Sequence, residues 1–282
     1  MIELTNLTFS YLRNGYPALN DISCVIEPGI RLLAGENGAG KTTLLHNIAG
    51  LSRPTGGHVT IDGSDPASDK PEDLGRVFLL EENQFFPGKS IREFAAMHSR
   101  FYRRFSNELF YENLHAFGLT GDESLSNLSL GNRKKSELAY VLALGVDVLL
   151  LDEPTNGLDI EGREALRHII GGATGDGQTI IISTHAVGEL EHLYDGAIFL
   201  SKGHLLYAGN LDDVDERLAF TVTKVPEPEA IYSELQVGRV LNICDAAISE
   251  GGGTVNWRLL YSGLHSPLRQ ELLNILNSPS II

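Results

Sequence analysis

Gly35–Thr42 reads GENGAGKT, and this G-x-x-x-x-G-K-[ST] pattern decides the fold. Just before it, Ile30–Ala34 (IRLLA) is an apolar run with strand character. Just after it, Thr42–Gly50 (TTLLHNIAG) has helical spacing closed by a glycine. A strand that passes through a glycine-rich loop into a helix makes a phosphate cradle. Glycines let backbone N–H groups converge, and the helix N-terminus adds the positive end of its dipole. Asn37, Gly38, Ala39 and Gly40 form the cradle, Lys41 reaches the β- and γ-phosphates, Thr42 offers its hydroxyl to Mg²⁺, and Thr43 lies beside the phosphates.

Further along, Asp147–Leu151 (DVLLL) is a buried-strand run that ends on Asp152 and Glu153. An aspartate at the carboxyl end of such a strand stands beside the phosphate loop, where it holds Mg²⁺. The glutamate one residue on is suited to polarise the attacking water. An acidic pair after apolar residues is common at strand ends, so its weight comes from Lys41 and from the residues that follow.

The rest of the chain reads as an alternation of short strands and helices. Ile2–Phe9, Ile22–Ile26, His58–Ile61, Val77–Leu80 and Thr179–Thr184 have strand patterns, and Ala197–Leu200 with Leu205–Ala208 reads as a hairpin. Ser90–Phe117 and Ser129–Leu144 have helical spacing, as does Glu161–Gly171. The aromatics between Phe94 and Phe117 read either as a docking surface or as helical core. Beyond Asn210 the alternation changes: Ala219–Val225 and Gly253–Leu260 read as strands and Leu268–Asn277 as an amphipathic helix. Gly251–Gly253 reads as a hairpin or linker, because no Lys-Ser/Thr follows it.

Composition narrows the function. The chain has 282 residues and is 42% hydrophobic, enough for one large domain and a small appendage. Its 22 basic against 37 acidic residues give a net charge of −15, which disfavours wrapping nucleic acid or lying on an anionic bilayer. Cys24 and Cys244 have no metal-ligand spacing and fit a reducing compartment. No signal-like leader and no run long enough to span a bilayer is present, so a membrane role is expected to come through a partner.

With these residues in place the sequence resembles the ATP-binding cassette (ABC) ATPases. LLLDEPTNGLD (149–159) is similar to their Walker B motif and D-loop, LSLGN (128–132) to their LSGGQ signature, and His185 in IISTH to their switch histidine. Tyr11 in FSYLRNGYPAL is similar to the aromatic that stacks on adenine, with Tyr16 as the competing candidate. The resemblance covers residues 1–210. It implies an α/β P-loop NTPase of ABC-ATPase fold: a RecA-like core, an antiparallel β subdomain, a helical subdomain over about 85–144, and a small α+β appendage over 211–282. It also implies a cassette that binds ATP with Mg²⁺ and works as a head-to-tail dimer, with itself or with another cassette. Ser129 and Gly131 of one subunit would cap the ATP held by the other, His185 would bind the γ-phosphate, and Asp159 would link the two sites. The partner implied is a separate integral membrane permease. The chain would sit in the cytoplasm on the inner face of the membrane, and LLEEN (79–83) with an altered signature most resembles exporter-type cassettes.

Two departures stand out. Glu81 occupies the place of the family's Mg²⁺-ligating glutamine, and Gln84 could take that role instead. Leu130 and Asn132 replace a glycine and a glutamine of the signature, while Ser129 and Gly131 are kept. A working but slow ATPase is expected. Phe85, Phe86 and Pro87 are candidates to line a groove for the permease or to form a surface turn. The competing function is a soluble ABC ATPase acting on nucleic acid or ribosomes. One uninterrupted cassette and the negative charge argue against it.

Overall fold

The computed structural model describes residues 1–12, 15–68, 70, 73, 75–82, 86–173, 177–249 and 253–277. The first elements are β1 (Ile2–Phe9), β2 (Leu19–Ile26), β3 (Gly29–Gly35), α1 (Lys41–Ile48), β4 (Gly56–Ile61) and β5 (Val77–Leu80). There follow α2 (Ile91–His98), α3 (Asn107–Ala116), α4 (Leu130–Val141), β6 (Val148–Asp152), α5 (Ile160–Ala173), β7 (Thr179–Thr184), β8 (Gly196–Ser201) and β9 (His204–Asn210). The chain closes with α6 (Leu211–Arg217), β10 (Leu218–Thr223), β11 (Ala230–Gln236), β12 (Arg239–Asp245), α7 (Trp257–Leu264) and α8 (Arg269–Leu276).

The central sheet has the order β5-β6-β7-β3-β8-β9, with β9 antiparallel at its edge and the other strands parallel. Strands β6 and β7 are buried at every position, as expected where both faces of a parallel sheet are covered. The two faces follow the period of two. Leu33, Leu150, Ile181 and Ile198 pack toward α1 and the β2-β1-β4 sheet. Leu32, Leu151, Ile182 and Phe199 pack toward the helices of the other face. The aromatic stretch is core: Phe94 and Phe110 are buried around Tyr140, and Phe86 stacks on Phe94 at 4.2 Å. Phe101 stays exposed. Asn83, Gln84, Phe85, Gly251 and Gly252 lie outside the described residues.

The C-terminal segment departs most from its sequence reading. The strand expected over Gly253–Leu260 is instead a single bridge at Gly253 followed by helix α7. Val255, Trp257 and Leu259 mimic a period of two, but the Asn256 side chain accepts the Leu259 N–H at 2.7 Å and caps a helix. Trp257, Leu260 and Leu264 then fall on one buried face. The hairpin β11–β12 went unread because its turn is Val237-Gly238, both at positive φ. Such turns usually announce themselves as Asn-Gly or Asp-Gly. Trp257, Leu260 and Leu272 belong to the same contiguous core as Phe199 and Leu151, so this segment completes one face of the central sheet.

Candidate functional site

The carboxyl ends of β6, β7 and β3 lie side by side, with Asp152 paired to Ser183 and Ala34 to Thr184. Chain that leaves these ends builds one cleft of about 340 Å³, where an α/β sheet is expected to bind ligand. The loop from β3 to α1 forms its floor. Gly38 and Gly40 take φ of 80° and 105°, and a Cβ on Gly40 would come within 2.8 Å of the Ala18 carbonyl oxygen. Only glycine fits there. Lys41 is buried, and its Nζ donates to the Gly35 carbonyl at 2.8 Å.

Thr42 Oγ1 donates to Asp152 Oδ2 at 2.7 Å, and Ser183 Oγ donates to Asp152 Oδ1. Glu153 adopts φ 46°, a left-handed conformation rare for a residue with a side chain. Its N–H donates to the Ser183 carbonyl at 3.1 Å, and its carboxylate lies 3.8 Å from Lys41 Nζ and 3.0 Å from His185 Nδ1. The His185 side chain is half exposed. Tyr11 lines the cleft, its hydroxyl 2.8 Å from Thr43 Oγ1 and its ring edge-on to Phe9. Tyr16 is fully exposed.

Thus Tyr11, Asn37, Gly38, Ala39, Gly40, Lys41, Thr42, Thr43, Asp152 and Glu153 share one cleft, with His185 against Glu153. Glu81 turns to His46, 2.7 Å away on α1, and the carboxylate that lines the cleft is its neighbour Glu82. Asn156 Nδ2 donates to Glu82 Oε1 at 2.8 Å, and Lys134 Nζ lies 3.3 Å from its carbonyl oxygen. Ser183, Asn156 and Lys134 were not singled out from sequence. Only the Ser in IISTH, one residue before the strand end, offered a signal.

Ser129 and Gly131 stand apart from the cleft, on the exposed N-terminus of α4. Ser129 Oγ accepts the Asn132 N–H at 3.2 Å, and Leu130 is 74% exposed. Asp159 caps α5 through the Gly162 N–H at 2.8 Å and pairs with Lys135 at 2.9 Å. These two contacts, Lys135 first, hold its carboxyl below the usual carboxylate range.

Thr42 and Asp152 are adjacent hard oxygen donors that suit Mg²⁺. Among the described residues no three His, Cys, Asp or Glu side chains converge as a ready cation site, so phosphate oxygens and water would supply the other ligands. Around the cleft stand Glu36, Glu82, Asp152 and Glu153 against Lys41. That balance of four carboxylates to one ammonium suits a polyphosphate only if a divalent cation accompanies it.

Along α4 lies a second electrostatic feature. Glu137 on α4 is buried, and one of its carboxyl oxygens has no hydrogen-bond partner. Burial pushes its carboxyl up to about 7, against the pull of Lys134. A raised folded-state value means that the neutral form favours folding. That contribution is complete below the ordinary value of 4.5 and is lost as pH rises through about 7. Glu137→Gln is therefore expected to leave stability nearly unchanged at about pH 4.5 and to raise it by on the order of 2 kcal/mol at pH 8. Urea midpoints at the two pH values check this, and equal midpoints at pH 8 would count against it.

Comparison with known proteins shows what the chain is similar to. The family model described as ABC transporter matches residues 19–156. The energy-coupling factor transporter ATP-binding protein EcfA of Methanothermobacter thermautotrophicus is 34% identical over 221 residues, which is 74% of this chain and 70% of that protein. The ABC transporter ATP-binding protein NatA of Bacillus subtilis is 32% identical over 226 residues, 77% of this chain and 92% of that one. Among solved structures, the dimeric post-hydrolysis state of an ATP-binding cassette bound to ADP and Pi superposes with a TM-score of 0.65. It is 25% identical, over 75% of this chain and 99% of that chain.

Proposed function

Because the chain belongs to the ABC transporter family of ATP-binding subunits, we propose that it hydrolyses ATP at this cleft, as a dimer, to drive a separate membrane permease. The observation that carries the reading is the convergence of Lys41, Asp152, Glu153 and His185 at three neighbouring strand ends. Residues 1–210 are proposed as the cassette and 211–282 as a segment built onto it.

Each residue's part follows from its contacts. The phosphate loop N–H groups and Lys41 bind the β- and γ-phosphates, with Lys41 exchanging its hold on the Gly35 carbonyl for phosphate oxygen. Tyr11 offers a flat face to the base. Thr42 and Asp152 would hold Mg²⁺, which when bound supplies charge to offset the phosphates. Glu153 takes a proton from the attacking water. His185 meets Glu153 through Nδ1 and would place its other ring nitrogen at the γ-phosphate. Glu81 lies on His46, so Glu82 is the better-placed carboxylate near the phosphates.

The dimer reading rests on α4. The Ser129 cap uses only a lone pair, which leaves its O–H free to donate outward. The N–H groups of the first turn, Gly131 among them, have no partner within the helix. Such a terminus suits a phosphate held by a second cassette, and the exposed Leu130 would be covered by it. Ser129→Ala removes the cap, worth about 1 kcal/mol, and also the trans contact. It is expected to lower ATP turnover at least about tenfold, since charge-assisted bonds contribute about 1.5–3 kcal/mol. Unchanged turnover in Ser129→Ala would refute the composite site.

Among the described residues no helix is long and apolar enough to cross a membrane. We place the chain on the cytoplasmic face of a membrane through its permease. Recovery of the tagged chain from membranes together with an integral membrane protein tests this, and recovery with none would remove the transport role. The relatives include an energy-coupling factor transporter subunit as well as NatA, so LLEEN alone does not make this chain an exporter.

A further inference from the structure

We propose that Lys135 on α4 is a positioning residue: its ion pair with Asp159 fixes the first turn of α4, and so aims Ser129 and Gly131 at nucleotide held by a second cassette. This deepens the proposed function and rests on its reading of the site as shared between two cassettes. Lysine is rarely buried unless its ammonium is paired. Lys135 is 7% exposed, and its Nζ lies 2.9 Å from Asp159 Oδ1 and 3.0 Å from Oδ2. An ammonium held by both oxygens of one carboxylate is a joint with a defined geometry.

The chain makes room for this joint. Gly162 lies within α5, where glycine is less favourable than alanine. A Cβ there would come within 2.7 Å of both Lys135 Cε and Asp159 Oδ1. The lysine stem thus lies over a bare glycine. Asp159 is also fixed from its own side, because its Oδ1 accepts the Gly162 N–H at 2.8 Å.

Four residues before Lys135, on the same face of α4, Gly131 meets the same stretch of chain. A Cβ on Gly131 would stand 3.1 Å from the Gly157 carbonyl oxygen. Helix α4 therefore touches residues 157–159 at two points one turn apart, a close backbone approach and an ion pair. Two such points fix the tilt of a helix, which one cannot do. The stretch they hold leads directly from Glu153. The Asn156 N–H donates to the Glu153 carbonyl and the Leu158 N–H to the Thr155 carbonyl, each at 3.2 Å. The direction of the α4 N-terminus is thereby referred to the chain that carries the general base.

The consequence is thermodynamic. With the joint in place, the Ser129 hydroxyl and the Gly131 N–H are aimed before two cassettes meet. Without it, closure of the dimer must order them. Lys135 does not line the cleft, so its loss should spare nucleotide binding within one subunit. A closed dimer holds two such joints, so the effect of one is counted twice.

Lys135→Met keeps an unbranched apolar stem and deletes the ammonium, and Asp159, 62% exposed, stays solvated. The full-length variant is expected to bind a fluorescent non-hydrolysable ATP analogue with wild-type affinity, measured where the chain is monomeric. In the Glu153→Gln background, with ATP and Mg²⁺, it is expected to raise the dimer dissociation constant about tenfold, or about threefold per joint for a pair with one exposed partner. Asp159→Asn keeps the cap on Gly162 and removes the charge, so adding Lys135→Met to it should cost little more. A lysine that served only the fold would lower the melting temperature and leave the dissociation constant unchanged. An unchanged constant, full additivity with Asp159→Asn, or weakened analogue binding by the monomer would each overturn the proposal. Failure of Glu153→Gln itself to dimerise would overturn the shared-site reading as well, whereas a Glu153→Gln dimer indifferent to Lys135→Met would overturn this proposal alone.

Discussion

Glu153→Gln is expected to lower ATP turnover by about 10²–10⁴-fold while nucleotide still binds. The glutamine keeps the volume and can still accept from His185 Nδ1, now 3.0 Å from the carboxylate. What it loses is the ability to take a proton from water. It also removes one of the four carboxylates around a cleft that holds a single lysine, so the γ-phosphate is held more favourably. If ATP is the glue between two cassettes, stopping hydrolysis lets the closed state accumulate. Gel filtration with ATP and Mg²⁺ should then show the variant as a dimer. A profile showing only monomer would sink the sandwich reading, and wild-type turnover would remove Glu153 from the role of base.

Lys41→Ala should weaken nucleotide binding by about ten- to hundredfold, the worth of a charge-assisted bond in a water-poor site. The side chain is buried, and its ammonium sits between the Gly35 carbonyl and Glu153. Its removal leaves the cleft with carboxylates and no cation among its lining side chains. Lys41→Arg should fail to restore binding, because a planar guanidinium does not fit the slot of a compact ammonium. Titration with a fluorescent ATP analogue measures both variants, and wild-type affinity in Lys41→Ala would refute the assignment.

What could be read in the residues follows from how local each signal is. The phosphate loop, β1, β5 and β7 were legible because glycines, alternation and unbroken Ile or Leu runs act over a few neighbours. β1, β5 and β7 have the bounds read from sequence. The pairing of Glu153 with Lys41 and His185 was legible only as roles, since their meeting is made by the strand order β6-β7-β3. The turn of Glu81 to His46, which leaves Glu82 at the cleft, depends on one peptide's orientation after β5. No pattern encodes that. The β11–β12 hairpin was hidden by a β-branched residue in a left-handed turn, and α7 by an apolar spacing that fits two periods at once.

The core shared by Phe199, Trp257 and Leu260 has a consequence for the order of events in synthesis. The phosphate loop is made long before α7, the helix that covers Phe199. Contacts so far apart in sequence form late and slowly. The sheet face around Phe199 must wait, open to water, until α7 has been made. Chaperone demand should therefore persist until α7 has emerged, and a message truncated shortly before Trp257 would yield an aggregating chain rather than a smaller working one.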